Sequence, residues 1–225
     1  MDTPIIISLE GNIGAGKTTL LSALEKCYAA SSKVRFLKEP VDEWAKIKDK
    51  DGATIFSKFY ADPKTYAFAF QIMAYSTRLH ALRQLVADNP DCEIIICERS
   101  LDADKHIFAK MLHDDGTIES VMYQIYDKYF ELYETMFQLN AVVYVDTDPE
   151  ICFQRVSKRA REGESTIPLD YLKNCQTYHE KWLLSTDLQV LHLNTNAEAM
   201  FDPLNMEDPG TKWLNLIDEF LRVVK

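Results

Sequence analysis

Short apolar blocks alternate along the chain with longer stretches in which apolar residues recur every three or four positions. Ile5 to Leu9 is a β-branched run that ends at glycines, which predicts a buried strand. Lys17 to Tyr28 carries Leu20, Leu21 and Leu24 at helical spacing. "KVRFLKEP" predicts a second strand, stopped by Pro40. Lys64 to Asp88 repeats the helical spacing through Phe68, Ile72, Leu79, Leu82, Leu85 and Val86, and stops at "DNPD". "CEIIIC" predicts a third strand. Ala103 to Leu112 reads as helical, and Ile118 to Leu139 as a second long helix. "AVVYVD" and "LQVLHLN" predict the fourth and fifth strands. Pro149 and Pro168 each suit the first turn of a helix, and Trp213 to Val223 predicts the last one.

Strands that are apolar throughout and alternate with helices predict an α/β fold, a five-stranded parallel sheet with helices on both faces. A chain of 225 residues suits one domain over 1–225. In such sheets ligands gather beyond the carboxyl ends of the strands. Composition narrows the partners. A formal net charge of −10 disfavours nucleic acid and anionic membrane surfaces. The aliphatic runs are too short to span a bilayer, and "MDTPIII" lacks the basic start of a leader. The cysteines are odd in number, 5, and none forms a C-x-x-C, so they read as reduced thiols of a cytoplasmic protein.

The predicted strand ends carry the chemistry. After the first comes Gly11-Asn12-Ile13-Gly14-Ala15-Gly16-Lys17-Thr18-Thr19, which fits the phosphate-loop pattern G-x-x-x-x-G-K-[ST]. Glycines let several backbone N–H groups point at one anion, and the following helix offers its N-terminus. Lys17 reaches the outer phosphates of ATP, and Thr18 ligates Mg²⁺. A glycine-rich turn that binds nothing is the alternative, and the strand–loop–helix context weighs against it. After the second strand, Glu39 in "EPVDEW" is either a general base for a hydroxyl acceptor or a solvated turn residue. After the third, "ERS" offers Glu98 for the metal ion and Arg99 for Glu39 or a phosphate; otherwise the two form a surface pair. After the fourth, "RVSKRAR" sets Arg155 and Arg159 on one helical face with Arg161 just beyond. These arginines either clamp a transferring phosphoryl group or form a solvated basic helix end. The stretch 155–168 reads as an arginine-rich lid with Gly163 as hinge. Between strands two and three, "FYADPKTYAFAFQIMAYSTR" is mostly core, with Gln71 and Arg78 on one helical face beside aromatics that suit a flat base.

Taken together, "GNIGAGKTT", "EPVDEW", "FYADPKTYAFAFQ", "ERSLDADKHIFA" and "RVSKRAREGESTIPLDYL" resemble the deoxyribonucleoside kinases of the deoxycytidine/deoxyguanosine/deoxyadenosine kinase type, over nearly the whole chain. The resemblance implies a P-loop NTPase-type fold and transfer of the ATP γ-phosphate to the 5′-hydroxyl of a deoxyribonucleoside, with Mg²⁺. By position, Glu39 resembles the general base, Arg99 the arginine beside it, and Glu98 the magnesium-associated acid. Tyr60 and Glu164 resemble the pair that binds the 3′-hydroxyl, and Gln71 the base-reading glutamine. Trp44 and Phe108 resemble the aromatic walls, and Arg155, Arg159 and Arg161 the lid arginines. Arg78 and Asp104 at these positions go with cytosine or purine recognition, not thymine. A homodimer through the two long helices is implied as well. The lid departs from the family pattern in reading "RAR", where relatives often carry glycine between the arginines.

A thymidylate-kinase-like enzyme is the nearest rival; it usually has two glycines after its Glu-Pro and Asp-Arg-Tyr after the third strand, where this chain has "VDEW" and "ERS". A thymidine-preferring nucleoside kinase stays open. A regulatory GTPase needs a guanine-reading N-K-x-D, and here the fourth and fifth strands end "VDTDPE" and "LNTNAE". A non-catalytic relative is expected to have lost Lys17, Glu39 or Arg99, and all three are present.

Overall fold

The computed structural model describes residues 3–159 and 167–224. Among these residues, five strands form one sheet in the order β2-β3-β1-β4-β5, and every neighbouring pair is parallel. They are β1 (Ile5–Glu10), β2 (Val34–Leu37), β3 (Ile94–Glu98), β4 (Leu139–Asp146) and β5 (Gln189–Asn194). The helices are α1 (Lys17–Cys27), α2 (Val41–Trp44), α3 (Ile55–Ala61), α4 (Pro63–Asp88), α5 (Leu101–Ala103), α6 (Lys110–Asp114), α7 (Ser120–Glu131), α8 (Pro149–Arg159), α9 (Leu169–Ser185) and α10 (Pro209–Val223). A π-helical turn, Asp104–Ala109, joins α5 to α6.

Strand alternation decides which helix covers which face. Ile7, Leu9, Val143 and Val145 pack with Leu20, Leu21 and Leu24 of α1 and with Ile217 and Leu221 of α10. Their strand neighbours point the other way: Val142 and Tyr144 meet Cys175 and Trp182 of α9, and Ile6 meets Leu82 of α4. Both faces are thus covered, which is why the strands are apolar throughout.

Two helices depart from the sequence pattern. The one expected over Ile118–Leu139 ends at Glu131. Phe137 lies at helical spacing from Phe130, seven residues on, yet it packs with Leu139 against Ile6, Leu82 and Cys97 at the sheet, and Leu139 already opens β4. Sheet pairing overrides the helical period there. The helix expected over Ala103–Leu112 contains the π-turn, a geometry that occurs frequently at functional sites. The short α2 and α3 were not anticipated. Both sit in the β2–α4 connection and carry Trp44, Phe56 and Phe59 into one cluster with Phe70.

Candidate active site

The carboxyl ends of β1, β2 and β3 open into a cleft of about 310 Å³. The phosphate loop forms one wall, and its glycines explain its shape. Gly11 has φ +146°, and a Cβ there would lie 2.4 Å from the Val145 carbonyl oxygen. Gly14 has φ +85°, with the Cys152 carbonyl oxygen 2.6 Å from the same notional carbon. Only glycine lets the loop lie this close to β4 and α8. Gly16 caps α1 in a left-handed conformation with no side-chain hydrogen bond, so the first N–H groups of α1 are left to a ligand. Ile13, Gly14, Gly16, Lys17, Thr18 and Thr19 line the cleft. Ala15 lines a neighbouring cavity with Arg155, Ala197, Glu198, Phe201 and Trp213. Asn12 is turned inward: its Nδ2 donates to the Leu172 carbonyl at 2.8 Å and ties the loop to α9.

Lys17 is nearly buried. Its Nζ donates to the carbonyls of Gly11 (3.0 Å) and Asn12 (2.7 Å). Burial, then Arg99, push its ammonium down to about 8. Thr18 Oγ1 donates to Glu98 Oε1 at 2.6 Å. These two oxygen donors suit a hard divalent cation held partly by phosphates and water. Among the described residues no group of three or more His, Cys, Asp or Glu forms a closed metal cage.

The centre of the cleft is a charge network. Glu39 Oε1 accepts from Arg78 Nη2 at 2.9 Å and lies 3.3 Å from Arg99 Nε. Burial alone would raise the Glu39 carboxyl; Arg99, Arg78 and Lys17 hold it below the usual carboxylate range instead. Arg99 follows β3 in a left-handed conformation, φ +63°, unusual for a side chain with a Cβ. Ser100 accepts from the Ala103 N–H and starts α5 at once, which demands that sharp turn. The Arg99 guanidinium lies 4.6 Å from the Phe108 ring centroid.

Arg78 makes four hydrogen bonds, through all three of its guanidinium nitrogens. Nε donates to Asp104 Oδ2 (2.9 Å), Nη1 to the Glu98 carbonyl (2.8 Å), and Nη2 to Asp104 Oδ1 (3.3 Å) as well as to Glu39. Asp104 lines the cleft and Arg78 does not. Of the two residues expected at a base edge, only Asp104 opens onto the cleft, and Arg78 holds it from within the wall. Burial raises the Asp104 carboxyl, and Arg78 offsets that.

The far end is aromatic. Trp44 Nε1 donates to Thr77 Oγ1 at 2.8 Å, which fixes its ring against Phe56 and Phe70. Phe59 stacks on Phe70, with centroids 4.8 Å apart. Phe108 from the π-turn and buried Gln71 from α4 face the same space. Tyr60 and Tyr171 meet edge to face beside it. Phe56, Phe70 and Tyr171 were missed by the sequence reading; their residue types and spacing are those of core. Arg155 Nη1 donates to the Ala15 carbonyl and Nη2 to that of Thr195, which links the phosphate loop to the end of β5. Arg159 lines the cleft. Arg161, Gly163, Glu164 and half of the expected lid, residues 160–166, lie outside the described residues.

A phosphate loop, a strand-end carboxylate held by two arginines, and a flat aromatic end on a parallel sheet define a nucleotide-dependent kinase for a small ring-bearing acceptor. The family model for deoxynucleoside kinases matches residues 7–220, and the chain belongs to that family. Its members are ATP-dependent phosphotransferases acting on deoxynucleosides, and this chain is one of them. A probable deoxycytidine kinase of fowlpox virus (strain NVSL) is 34% identical over 209 residues, 90% of this chain and 83% of the relative. Deoxycytidine kinase 2 of Gallus gallus is 32% identical over 203 residues, 82% and 76% of the two chains. The mitochondrial thymidine kinase 2 of Homo sapiens is 31% identical over 187 residues, 81% and 66%. No described helix is long and apolar enough to cross a membrane.

Proposed function

We propose that this kinase transfers the ATP γ-phosphate to the 5′-hydroxyl of a deoxynucleoside whose base carries an amino group: deoxycytidine, deoxyadenosine or deoxyguanosine. The observation that carries the reading is the placement of Glu39, between the phosphate loop and the aromatic end, with its carboxylate 2.9 Å from Arg78 Nη2 and 3.3 Å from Arg99 Nε. Asp104 supports the choice of base. A carboxylate accepts from an exocyclic amino group and opposes the O4 of thymine, which is itself an acceptor.

The base lies between Trp44 and Phe108 and offers an edge to Gln71 and Asp104. Tyr60 and Glu164 take the 3′-hydroxyl. That pose sends the 5′-hydroxyl to Glu39, which accepts its proton as the oxygen bonds to the γ-phosphorus and ADP leaves. Arg99 orients Glu39 and neutralises charge on the equatorial oxygens. The N–H groups of residues 11–19 and Lys17 cradle the phosphates. Arg155, Arg159 and Arg161, on a lid over 155–168, clamp them and exclude water. Thr18 and Glu98 would hold Mg²⁺, which offsets charge on the phosphates when bound.

The single domain 1–225 is taken to act as a cytoplasmic homodimer through α4 and α7. Exposed Val121, Met122 and Ile125 on α7 supply the apolar face such a dimer needs, and the free cysteines suit a reducing compartment. Parallel assays with ATP, Mg²⁺ and deoxycytidine, deoxyadenosine, deoxyguanosine, thymidine or dTMP test the acceptor. Turnover of an amino-bearing nucleoside with thymidine poor is expected; thymidine preferred discards the Asp104 argument, and dTMP alone discards the nucleoside acceptor. Glu39→Gln is expected to cut kcat by about 10²–10⁴ with little change in nucleoside KM. Near wild-type turnover removes Glu39 as the base.

A further inference from the structure

Glu39 and Trp44 stand five residues apart in one short piece of chain. Pro40 leads into α2, a single turn, and its backbone bonds are local. The Val41 N–H donates to the Glu39 carbonyl at 2.8 Å, and the Trp44 N–H to that of Pro40 at 3.2 Å. The N-cap makes no side-chain hydrogen bond, and Asp42 and Glu43 are exposed. A turn this short does not hold its own place. Two side chains of α4 grip it instead. Arg78 Nη2 meets Glu39 Oε1 at 2.9 Å, at one end of the piece. Trp44 Nε1 donates to Thr77 Oγ1 at 2.8 Å, at the other. Among the described residues, the second is the one hydrogen bond that joins α2 to another element.

The hydrogen bonds of the Thr77 hydroxyl fix its role. An indole N–H only donates, so Thr77 Oγ1 is the acceptor. Its own proton goes back along α4 to the Met73 carbonyl at 2.7 Å, with that of Ala74 at 3.2 Å. Thr77 is partly buried and does not line the cleft, whereas Trp44 and Glu39 do. Thr77 and Arg78 are successive residues of one long helix, and successive helical residues point about 100° apart. With one of them α4 meets the aromatic wall, and with the next the strand-end carboxylate.

We propose that Thr77 is a positioning residue for the acceptor. By holding the Trp44 indole while Arg78 holds Glu39, it fixes the spacing between the wall of the base and the carboxylate that meets the 5′-hydroxyl. This rests on the reading that Trp44 walls the base and Glu39 takes the hydroxyl proton. A nucleoside spans that spacing. A wall free to drift therefore costs binding at one end and alignment at the other. The phosphate loop lies outside this piece of chain, so ATP binding is untouched.

The test is a double-mutant cycle of Thr77→Val and Trp44→Phe, assayed with deoxycytidine, deoxyadenosine and deoxyguanosine. Glu39→Gln serves as the reference, and thermal midpoints are measured alongside. Valine keeps the shape of threonine and removes the acceptor; phenylalanine keeps a ring and removes the donor. Each single change is expected to raise the deoxynucleoside KM roughly three- to tenfold and to lower kcat roughly two- to fivefold, with the KM for ATP unchanged. Together they are expected to cost no more than Trp44→Phe alone, because the bond is already gone. Thr77→Ser keeps the hydroxyl and is expected to restore both constants. The Trp44 indole N–H resonance, assigned by its loss in Trp44→Phe, is expected to shift and to exchange faster with solvent in Thr77→Val. Parent constants in Thr77→Val, with or without a lowered midpoint, or losses that simply multiply, overturn the proposal. If Glu39→Gln keeps full turnover, the reading of Glu39 fails and takes the proposal with it. If Glu39→Gln loses turnover and Thr77→Val does not, the proposal for Thr77 fails by itself. Should Thr77→Val not fold, Trp44→Phe removes the same bond from the other side, and parent constants there overturn the proposal.

Discussion

Arg78→Met separates what the buried arginine does for the fold from what it does for the acceptor. The side chains of Arg78 and Asp104 are 3% and 4% exposed, and that of Glu39 is 17% exposed. Methionine fills the space of the arginine stem but leaves the Asp104 carboxylate buried without its cation. Removing one partner of a buried pair costs about 3–5 kcal/mol. At about 2–4 °C per kcal/mol for a chain of this size, the thermal midpoint should fall by about 6–20 °C. Removing Asp104 as well, in Arg78→Met/Asp104→Ala, takes away the stranded charge and should restore stability to within about 1–2 kcal/mol of the parent, with Glu39 still paired to Arg99. Midpoints followed by circular dichroism at pH 7.5 give the answer for all three proteins. A single mutant that melts with the parent, or a double mutant no better than the single, refutes the argument. The same proteins test specificity: an unchanged acceptor profile in Arg78→Met means that Arg78 does not hold Asp104 for the base.

Gly11→Ala should raise the KM for ATP or abolish soluble folding, because its Cβ would sit 2.4 Å from the Val145 carbonyl oxygen; ATP titration by calorimetry would show it, and unaltered affinity would refute the close approach. Lys17 must be a cation to meet phosphate, and in the free enzyme its ammonium is pushed down to about 8. The kcat/KM for ATP should therefore hold below that pH and fall about tenfold per unit above it, a limb absent from pH profiles if Lys17 titrates normally. His179 is buried and neutral, its imidazole pushed down to about 3 by burial and then by Arg99. The unfolded chain binds that proton near 6.5, so the contribution is complete above 6.5 and is lost as the pH falls below it. Between pH 6.5 and 5 the loss is about 2 kcal/mol, and urea titrations of His179→Gln should lack that slope.

The phosphate loop could be read from the chain because its chemistry is done by backbone, and backbone of that shape needs glycine at fixed spacing. The strand order could not: nothing in "CEIIIC" says that it pairs between β1 and β2. The aromatic end was only half legible. Trp44 and Phe108 were found by resemblance, but Phe59 and Phe70 stack in the same cluster with the burial of any core residue. A wall that is also core carries no separate mark in the sequence. The overlong helix after Ile118 failed for a related reason, since Phe137 keeps the helical period while the sheet claims it.

The charged residues were the most legible as a set and the least legible as individuals. Glu39, Glu98, Arg99 and Asp104 stand at or shortly after strand ends in the chain and Arg78 lies within α4, yet only the fold divides them between cleft and wall. The division follows from charge. To keep Glu39 ionised against burial takes both arginines, and two buried guanidiniums need partners besides Glu39. Arg78 has Asp104, on the π-turn, at 2.9 Å. Arg99 has no second carboxylate within ion-pair distance among the described residues, and its guanidinium lies instead against the Phe108 ring, 4.6 Å from the centroid.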